Sequence, residues 1–416
     1  MALSFLTLDD VDCSGKRVLL RGDLNVPFEN GTVGDTTRLK RLTGTIRELR
    51  GKKARIIILS HFGRPKKGPE PEFSLKPVAE VLGRILGCAV GFCPHTVGPE
   101  AQVAVNRMQP GEVLVLENTR FHEGEEKNDP AFVKQLAVLG DVFVNDAFSV
   151  AHRAHASTEG LARGLPCCAG RDMEKELSAL AKALDHPERP LMAIVGGSKI
   201  STKIDVLKNL TTKVDVLALG GGMANTFLAA QGKKLGRSLV ESDMLDTARG
   251  IMAHSAKNNC RILLPEDVVV AEKLAAQVPT QTVAVDAIPD NLMALDIGPK
   301  SVAAIIKALE TMKTAVWNGP LGAFEIHGPL GAFEIPPFEK ATLDVARAMA
   351  ARTKAGKLLS VAGGGDTVAV LNLAKVTEQL SYVSNAGGAF LEWLEGRELP
   401  GVEALRRRPE KKAVRP

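Results

Sequence analysis

This chain of 416 residues has few aromatic side chains and no cysteine pattern of a metal or disulfide scaffold. Phe, Trp and Tyr make up 4% of it, with one Tyr and two Trp. That leaves few rings for the stacking platforms of nucleic-acid-binding proteins. The six cysteines lack both CxxC spacing and the density of a secreted disulfide framework. We therefore expect mostly buried free thiols, no structural zinc site and a reducing, cytoplasmic location.

The sequence also lacks the features of a secretory leader or a membrane span. Residues 1–10 carry two aspartates and none of the basic, apolar or cleavage-site features of a signal peptide. The longest uncharged run, residues 216–232, has 17 residues but includes three consecutive glycines, an asparagine, a threonine and a glutamine. We expect no membrane-spanning helix and no membrane partner.

The net charge of +5 is concentrated at the C-terminus. Residues 406–416 hold six basic residues and one glutamate, and the rest of the chain is formally neutral. Such a run is typical of a solvated chain end. We therefore expect a basic disordered tail at 406–416 and no nucleic-acid partner.

Short runs rich in Val, Ile and Leu recur along the chain, separated by longer stretches with helical periodicity. Continuous apolar strands with helical crossovers indicate parallel sheets. The runs lie at 17–23, 54–63, 112–120 and 141–148, and then at 191–197, 214–222, 261–271, 314–320 and 357–367. The predicted fold class is α/β, with two doubly wound parallel-sheet (Rossmann-like) domains joined by a helix in a bilobal arrangement.

A bridging helix is predicted between the two sets of strands. Met173, Leu177, Leu180 and Leu184 are spaced by four, three and four residues and share one helical face, which could also be an ordinary core stripe. The turn-forming HPERP at 186–190 ends the segment. The predicted domains are 1–171, the interdomain helix and turn at 172–190, 191–381, a segment at 382–405 returning towards the first domain, and the tail at 406–416.

Polar side chains follow the apolar runs of the first half. Ligands of open α/β sheets bind at the carboxyl ends of the strands, so these side chains are expected to converge. Guanidinium forks match phosphate and carboxylate, and five arginines in one set indicate a small anionic ligand, although any single one could form a surface ion pair. The set comprises Arg21, Asp23, Asn25, Arg38, His61, Arg64, Arg120, His152 and Arg153.

Glycine clusters follow the runs of the second half. They lie at 196–197, 220–222 and 363–365, the first before Lys199 and Lys203 and the last before Asp366 and Thr367. Glycine lets backbone N–H groups approach phosphate, although tight strand-to-helix turns select it as well. None of the clusters fits the P-loop or GxGxxG patterns. Three clusters near two lysines and an aspartate indicate a magnesium nucleotide.

These segments together resemble the phosphoglycerate kinase family over nearly the whole chain. The similar motifs, in family order, are RGDLNVP (21–27), SHFGRP (60–65), ENTRFHEGEEKND (117–129), NDAFSVAHRAHAST (145–158), VGGSKISTK (195–203), LGGGMANTFL (219–228), LPEDVVVA (264–271), VWNGP (316–320) and GGGDT (363–367). The resemblance implies a cytoplasmic, monomeric glycolytic kinase. Its reaction transfers a phosphoryl group between 1,3-bisphosphoglycerate and ADP with Mg²⁺, giving 3-phosphoglycerate and ATP.

The resemblance also implies roles for individual residues. It assigns 3-phosphoglycerate to the first domain and the nucleotide to residues 191–381, with Asp366 as the magnesium ligand. Arg38 and Lys199 are expected to face the transferring group from opposite lobes, which would close about the bridging helix. The implied substrate-binding residues are Asp23, Asn25, Arg38, His61, Arg64, Arg120 and Arg153. The implied nucleotide-binding residues are Lys203, Gly298, Asn318, Gly364, Gly365, Asp366, Thr367 and either Glu325 or Glu334.

One departure from the family pattern lies beside the expected nucleotide site. The sequence GPLGAFEI occurs at 319–326 and again at 328–335, separated by His327. The family glutamate that contacts the ribose therefore has two candidates. Glu325 keeps the spacing from Asn318, and Glu334 keeps the spacing to the following helix. We favour Glu325, because the strand end anchors Asn318 and a loop can bulge at small entropic cost.

Three functions remain open on the sequence. The first is a phosphoglycerate kinase. The second is a non-catalytic homologue in which the 319–335 duplication impairs nucleotide binding, although it retains Arg38, Lys199 and Asp366. The third, an NAD-dependent dehydrogenase, lacks the glycine fingerprint.

Overall fold

The computed structural model describes residues 5–29, 32–66, 68–322 and 336–406. The chain divides into two compact units, the first formed by 1–178 with 398–416 and the second by 179–397. The change of unit after Ser178 falls within the segment 172–190, and the return at 397/398 falls within 382–405. Among the described residues, no helix has the length and apolarity that a membrane crossing requires.

Unit 1 is built on a six-stranded parallel sheet. Its strands are β1 (Arg17–Arg21), β4 (Arg55–Leu59), β5 (Val90–Cys93), β6 (Val113–Leu116), β7 (Val142–Asn145) and β8 (Cys167–Ala169), in the order β5-β6-β4-β1-β7-β8, while β2 (Phe28–Glu29) and β3 (Thr32–Val33) form a hairpin. The helices are α1 (Thr37–Gly51), α2 (Lys76–Leu86), α3 (Pro99–Asn106), α4 (Glu123–Glu126), α5 (Pro130–Ala137), α6 (Leu161–Gly164) and α7 (Arg171–Leu180). Among the central strands, β6 and β7 are buried throughout and β1 and β4 at every residue but the first, as expected where helices cover both faces.

Unit 2 has a second six-stranded parallel sheet and a smaller antiparallel one. The large sheet contains β9 (Leu191–Val195), β10 (Val216–Leu219), β11 (Arg261–Leu263), β15 (Thr314–Asn318), β16 (Leu359–Gly363) and β17 (Tyr382–Ser384), in the order β11-β10-β9-β15-β16-β17. The small sheet contains β12 (Asp267–Ala271), β13 (Gln281–Ala284) and β14 (Met293–Ile297). The helices are α8 (Ile204–Lys213), α9 (Gly221–Ala230), α10 (Leu245–Lys257), α11 (Pro299–Thr311), α12 (Lys340–Lys354), α13 (Gly365–Leu373) and α14 (Gly387–Leu394).

The prediction of two doubly wound α/β domains is confirmed, with two differences in detail. The single apolar run expected at 261–271 is two strands in different sheets, β11 and β12, with Pro265 between them. A proline cannot donate to a strand ladder, which favours a break at this point. The bridging segment is α7 followed by a π-helical turn, Ala181–Asp185.

The C-terminal segment divides between the units. Residues up to Arg397 remain in unit 2, where β17 pairs with β16. The short helix α15 (Pro400–Glu403) belongs to unit 1, where Gly401 N–H donates to Ala151 O at 2.8 Å. All six cysteines lie within the described residues; none of them forms a disulfide, and four are buried.

The sheet orders locate the crevice of each unit. In unit 1 the chain goes from β1 to β4 on one side and later adds β7 on the other side, so the strand order reverses between β1 and β7. In unit 2 the strand order reverses between β9 and β15. Ligands of doubly wound sheets bind at such switch points, beyond the carboxyl ends of the strands. The candidate sites are therefore the loops after β1 and β7 and the loops after β9 and β15.

Candidate active site

At the switch point of unit 1, the Asp23 carboxylate organises the loop after β1. Ser149 Oγ, in the turn after β7, donates to Asp23 Oδ2 at 2.6 Å. Asn25 N–H donates to Asp23 Oδ1 at 3.1 Å, and Arg38 Nη1 lies 3.2 Å from Asp23 Oδ2. Arg38, in the first turn of α1, also donates to Asn25 O at 2.7 Å. The fold thus fixes the direction of the Arg38 guanidinium before any ligand is present.

The Gly63 backbone connects Arg120 to the loop after β1. Its N–H donates to Asn25 Oδ1 at 2.9 Å, and its carbonyl accepts from Arg120 Nη1 at 2.7 Å. Gly63 has φ +60°, and a Cβ here would lie 2.2 Å from the Phe73 ring, so only glycine fits. The Gly63 backbone therefore links Asn25 with Arg120, next to exposed Arg64.

The cations of unit 1 lie close enough to perturb one another. Burial, followed by the charges of Arg21, Arg120, Arg153 and Arg38, lowers the pKa of His61 well below 6.5. Burial also lowers the pKa of Arg120, with contributions from Arg153 and Arg64, although Glu126 lies 3.0 Å from Arg120 Nε. Bringing like charges together is unfavourable unless an anion joins them. The charges of Arg38, Arg64, Arg120 and Arg153 thus act on His61 or on one another, as expected for an electropositive region suited to phosphate and carboxylate groups.

At the switch point of unit 2, Lys203 bridges the two central strands. Its Nζ donates to Gly196 O, just after β9, at 2.6 Å and to Asn318 Oδ1, the last residue of β15, at 2.7 Å. Burial lowers the pKa of Lys203 to about 8, and the charge of Asp366 opposes that shift. Burial correspondingly raises the pKa of Asp366 while the Lys203 charge lowers it. The charges of Lys203 and Asp366 therefore act on each other.

The start of α13 holds the other predicted nucleotide residues. Asn318 Nδ2 donates to Gly363 O at 2.8 Å, and Thr367 Oγ1 accepts from Gly319 N–H at 2.7 Å. The first hydrogen bond of α13 runs from Val368 N–H to Gly364 O, so the amides of Gly365, Asp366 and Thr367 precede it. These amides face the helix N-terminal end, where a phosphate is favoured.

The other glycine clusters also serve packing between loops. A Cβ on Gly221, which has φ +67°, would lie 2.5 Å from Gly197 O, and one on Gly319 would lie 2.3 Å from Gly196 O. Two amides at the start of α9 are already bonded, Gly221 N–H to Leu321 O and Met223 N–H to Gly197 O. Close contact between loops thus explains the glycines at 220–222, so this glycine cluster is weak evidence for phosphate binding.

A cavity of about 470 Å³ opens beside these loops in unit 2. Apolar residues that include Leu239, Val268, Leu274, Met293 and Leu321 share its wall with the polar residues Ser198, Asp296 and Asp366. A largely apolar cavity with a few polar groups is typical of a nucleotide-sized ligand site. Of the predicted nucleotide residues, Asp366 lies on the cavity wall.

Four further predicted residues lie outside the hydrogen-bonded clusters described above. Lys199 is exposed in the turn after β9. Gly298 is buried at the start of α11, where a Cβ would lie 2.3 Å from the Asp267 carboxyl carbon, so close packing explains this glycine. Glu325 and Glu334 both lie outside the described residues.

Sequence reasoning missed several residues that the structure places at these sites. Ser149 fixes Asp23, and buried Asp296 lines the unit 2 cavity, where it accepts N–H donation from Ile297 at 2.9 Å and Ala341 at 3.1 Å. Glu125 and Ser157 form a buried network with Arg21. A serine and a carboxylate far apart in sequence carry no spacing signal that could have found them.

Comparison with known proteins gives a consistent result over nearly the whole chain. The family model described as phosphoglycerate kinase matches residues 8–397. A phosphoglycerate kinase from Azorhizobium caulinodans is 58% identical over 404 residues, covering 97% of this chain and 100% of the relative, and one from Rhodospirillum centenum is 57% identical over 403 residues, also covering 97% and 100%.

Solved structures agree with the sequence comparisons. Phosphoglycerate kinase from Coxiella burnetii superposes with a TM-score of 0.88 at 42% identity, covering 96% of this chain and 98% of that one. The enzyme from Pyrococcus horikoshii gives a TM-score of 0.75 at 28% identity, covering 96% and 98%.

Two doubly wound units, with an arginine-rich site in one and a nucleotide-sized cavity in the other, define a phosphotransferase whose acceptor is a carboxyl group. This chain belongs to the phosphoglycerate kinase family.

Proposed function

We propose that this chain catalyses reversible phosphoryl transfer from 1,3-bisphosphoglycerate to ADP, giving 3-phosphoglycerate and ATP in glycolysis. The observation that carries the proposal is the family match over residues 8–397 at 57–58% identity to the relatives above. The convergence of cations in unit 1 and the cavity of unit 2 support one site for each substrate.

The proposed acid-substrate site consists of residues already held by hydrogen bonds. Arg38, Arg120, Arg153, Arg64 and His61 would bind the phosphate and carboxylate groups, since guanidinium groups present paired donors to both. Asp23 and Asn25 have most of their polar atoms engaged by Arg38, Ser149 and Gly63. We therefore propose that Asp23 and Asn25 hold Arg38 in place and also form hydrogen bonds with the hydroxyl group of 3-phosphoglycerate.

The proposed nucleotide site uses the start of α13 and the Lys203 bridge. The amides of Gly365, Asp366 and Thr367 would bind nucleotide phosphates, with Lys203, Asn318, Gly298 and Gly364 shaping the surrounding loops, and Glu325 or Glu334 remaining the candidates for the ribose. Half-buried Asp366 fits Mg²⁺, which binds through one or two protein carboxylates and substrate phosphates. When bound there, Mg²⁺ would neutralise charge on the phosphate oxygens.

The reaction needs no general base from the protein. The acceptor oxygen of 3-phosphoglycerate belongs to a carboxylate, which is ionised near neutral pH. The remaining tasks are to orient two anionic substrates and to stabilise charge on the equatorial oxygens of the transferring phosphoryl group. We assign those tasks to Arg38, Lys199 and the α13 amides.

The cellular setting follows from the proposed reaction. A glycolytic phosphotransferase acting on small metabolites would work in the cytoplasm, and six cysteines without a disulfide are consistent with a reducing compartment. We propose a monomer that acts on small molecules and requires neither nucleic acid nor a membrane.

The decisive experiment measures ADP formation by the purified chain with MgATP and 3-phosphoglycerate, beside a variant lacking residues 319–327. That deletion leaves one copy of GPLGAFEI. We expect activity in both, which would establish the kinase and show that the duplication is accommodated. Activity in the deletion variant alone would mean that the duplication blocks the nucleotide site. No activity in either folded protein would overturn the proposal in favour of a non-catalytic homologue.

A further inference from the structure

A buried polar network lies behind the substrate site of unit 1. Arg21 ends β1 and is 1% exposed, while Glu125 and Ser157 are both 0% exposed. Ser157 Oγ donates to Glu125 Oε1 at 2.5 Å, and Ser157 N–H donates to Glu125 Oε2 at 3.0 Å. Arg21 Nε donates to Ser157 Oγ at 2.9 Å. The carboxylate therefore compensates the guanidinium charge through the Ser157 hydroxyl.

The guanidinium has its other donors directed at the loops after β1 and β4. Arg21 Nη1 donates to Gly22 O at 2.5 Å. Arg21 Nη2 lies 3.0 Å from Nδ1 of His61, which is 5% exposed. Fixing Nε and Nη1 leaves the planar group little rotational freedom, so Nη2 is aimed at the imidazole.

The chemistry of this contact fixes the protonation of the histidine. Arginine has donors only and keeps its proton in proteins. His61 Nδ1 must therefore accept, which requires a neutral imidazole with its proton on Nε2. A positively charged imidazole would place an N–H against the guanidinium and is excluded by both the geometry and the charge.

We propose that Arg21, held by Ser157 and Glu125, is a positioning residue that fixes His61 as the Nε2–H tautomer and so presents a hydrogen-bond donor to 3-phosphoglycerate. This inference rests on the proposed function and deepens it, because the substrate contact belongs to His61 while Arg21 acts through it. A neutral donor of fixed direction selects an acceptor oxygen by geometry without adding positive charge to the site, which complements the charged guanidinium groups around it.

The tautomer is measured directly by long-range ¹H–¹⁵N correlation NMR of histidine-labelled protein, with the His61 signals assigned from the spectrum of His61→Gln. In the wild type we expect an unprotonated Nδ1 and a protonated Nε2 across neutral pH. A proton on His61 Nδ1 would overturn the proposal without any variant or activity measurement. If the wild-type protein showed the expected tautomer but had no kinase activity, that result would count against the proposed function instead.

The double variant Arg21→Met/Glu125→Gln tests the positioning role. It removes one positive and one negative charge, so the net charge of the site is unchanged. We expect the His61 tautomer to become mixed and KM for 3-phosphoglycerate to rise about tenfold, as for loss of a hydrogen bond to a charged group. The value of kcat should change by less than about threefold and KM for MgATP by less than about twofold.

Two comparisons separate positioning from a general structural effect. Arg17 stands at the opposite end of β1 and pairs with Asp141 at 2.7 Å, so Arg17→Met should lower stability without moving the His61 signals or either KM. In a His61→Gln background, the Arg21→Met/Glu125→Gln change should add less than about twofold to KM for 3-phosphoglycerate. An equally large rise in that background, or an unchanged tautomer in the double variant, would refute the role of Arg21.

Discussion

At the residue scale, the two proposed catalytic cations differ in how the fold holds them. Arg38 is fixed by Asp23 and Asn25, whereas Lys199 is exposed. We expect Arg38→Ala and Lys199→Ala each to lower kcat. The expected fall corresponds to a loss of about 2.7 to 4 kcal/mol of transition-state stabilisation, as when one hydrogen-bond donor to developing charge is removed. Steady-state kinetics with both substrates tests this. Losses below about threefold in both variants would contradict the assigned roles.

A second prediction at this scale concerns Asp146, which is buried after β7. Its Oδ1 accepts from the N–H groups of Asp172 and Met173, both at 2.9 Å, at the start of α7. Burial, with a contribution from the Asp172 charge, raises the pKa of Asp146 to about 7. A carboxyl whose folded pKa exceeds its unfolded value of 3.8 binds more protons when folded. Stability is therefore lost as pH rises towards and through 7.

The variant Asp146→Asn keeps an oxygen acceptor and removes the charge. We expect its gain in unfolding free energy over the wild type to be larger at pH 8 than at pH 5, by about 1 to 3 kcal/mol. Urea unfolding at the two pH values measures the difference. An equal gain for Asp146→Asn at both pH values would disprove a raised pKa of Asp146.

At the scale of elements, the entry into α13 depends on a backbone conformation that favours glycine. Gly364 has φ +100°, and a Cβ would lie 2.7 Å from Asn318 Nδ2. We expect Gly364→Ala to lower the unfolding free energy by about 1 to 3 kcal/mol, because it adds backbone strain and displaces Asn318. Gly365→Ala is the matched control, since no atom lies within 4 Å of its Cβ. Equal stability of the two variants would refute this reason for glycine at 364.

Elements also show where sequence patterns stop being informative. The continuous apolar runs predicted the central strands, because strands buried on both faces need apolar residues at every position. The same continuity hid the separation of β11 from β12, since an apolar run does not tell which sheet each strand joins. Strand pairing depends on contacts between residues far apart in sequence. In this chain β11 packs against α10, and β12 packs against α11.

At the scale of the whole molecule, the formal charge is concentrated in a terminus remote in sequence from the site motifs. Residues 407–416 carry most of the net charge of +5. We expect deletion of these residues to leave kcat/KM for 3-phosphoglycerate and MgATP within about twofold of the full chain, at low and physiological ionic strength. A fall in kcat/KM confined to low salt would show instead that the tail attracts the anionic substrates.

The sequence by itself determined the α/β class, the two doubly wound sheets and the family, because apolar periodicity and ordered motifs are local properties of the chain. It also supplied the arginines, lysines and glycines of both candidate sites as residue types. Only the tertiary structure decided their partners: Ser149 on Asp23, Lys203 between Gly196 and Asn318, and Glu125 behind Arg21. Except for the bond from Lys203 to Gly196, those hydrogen bonds join residues far apart in sequence. Their directions exist only once parallel strands have brought the loops to one edge of each sheet.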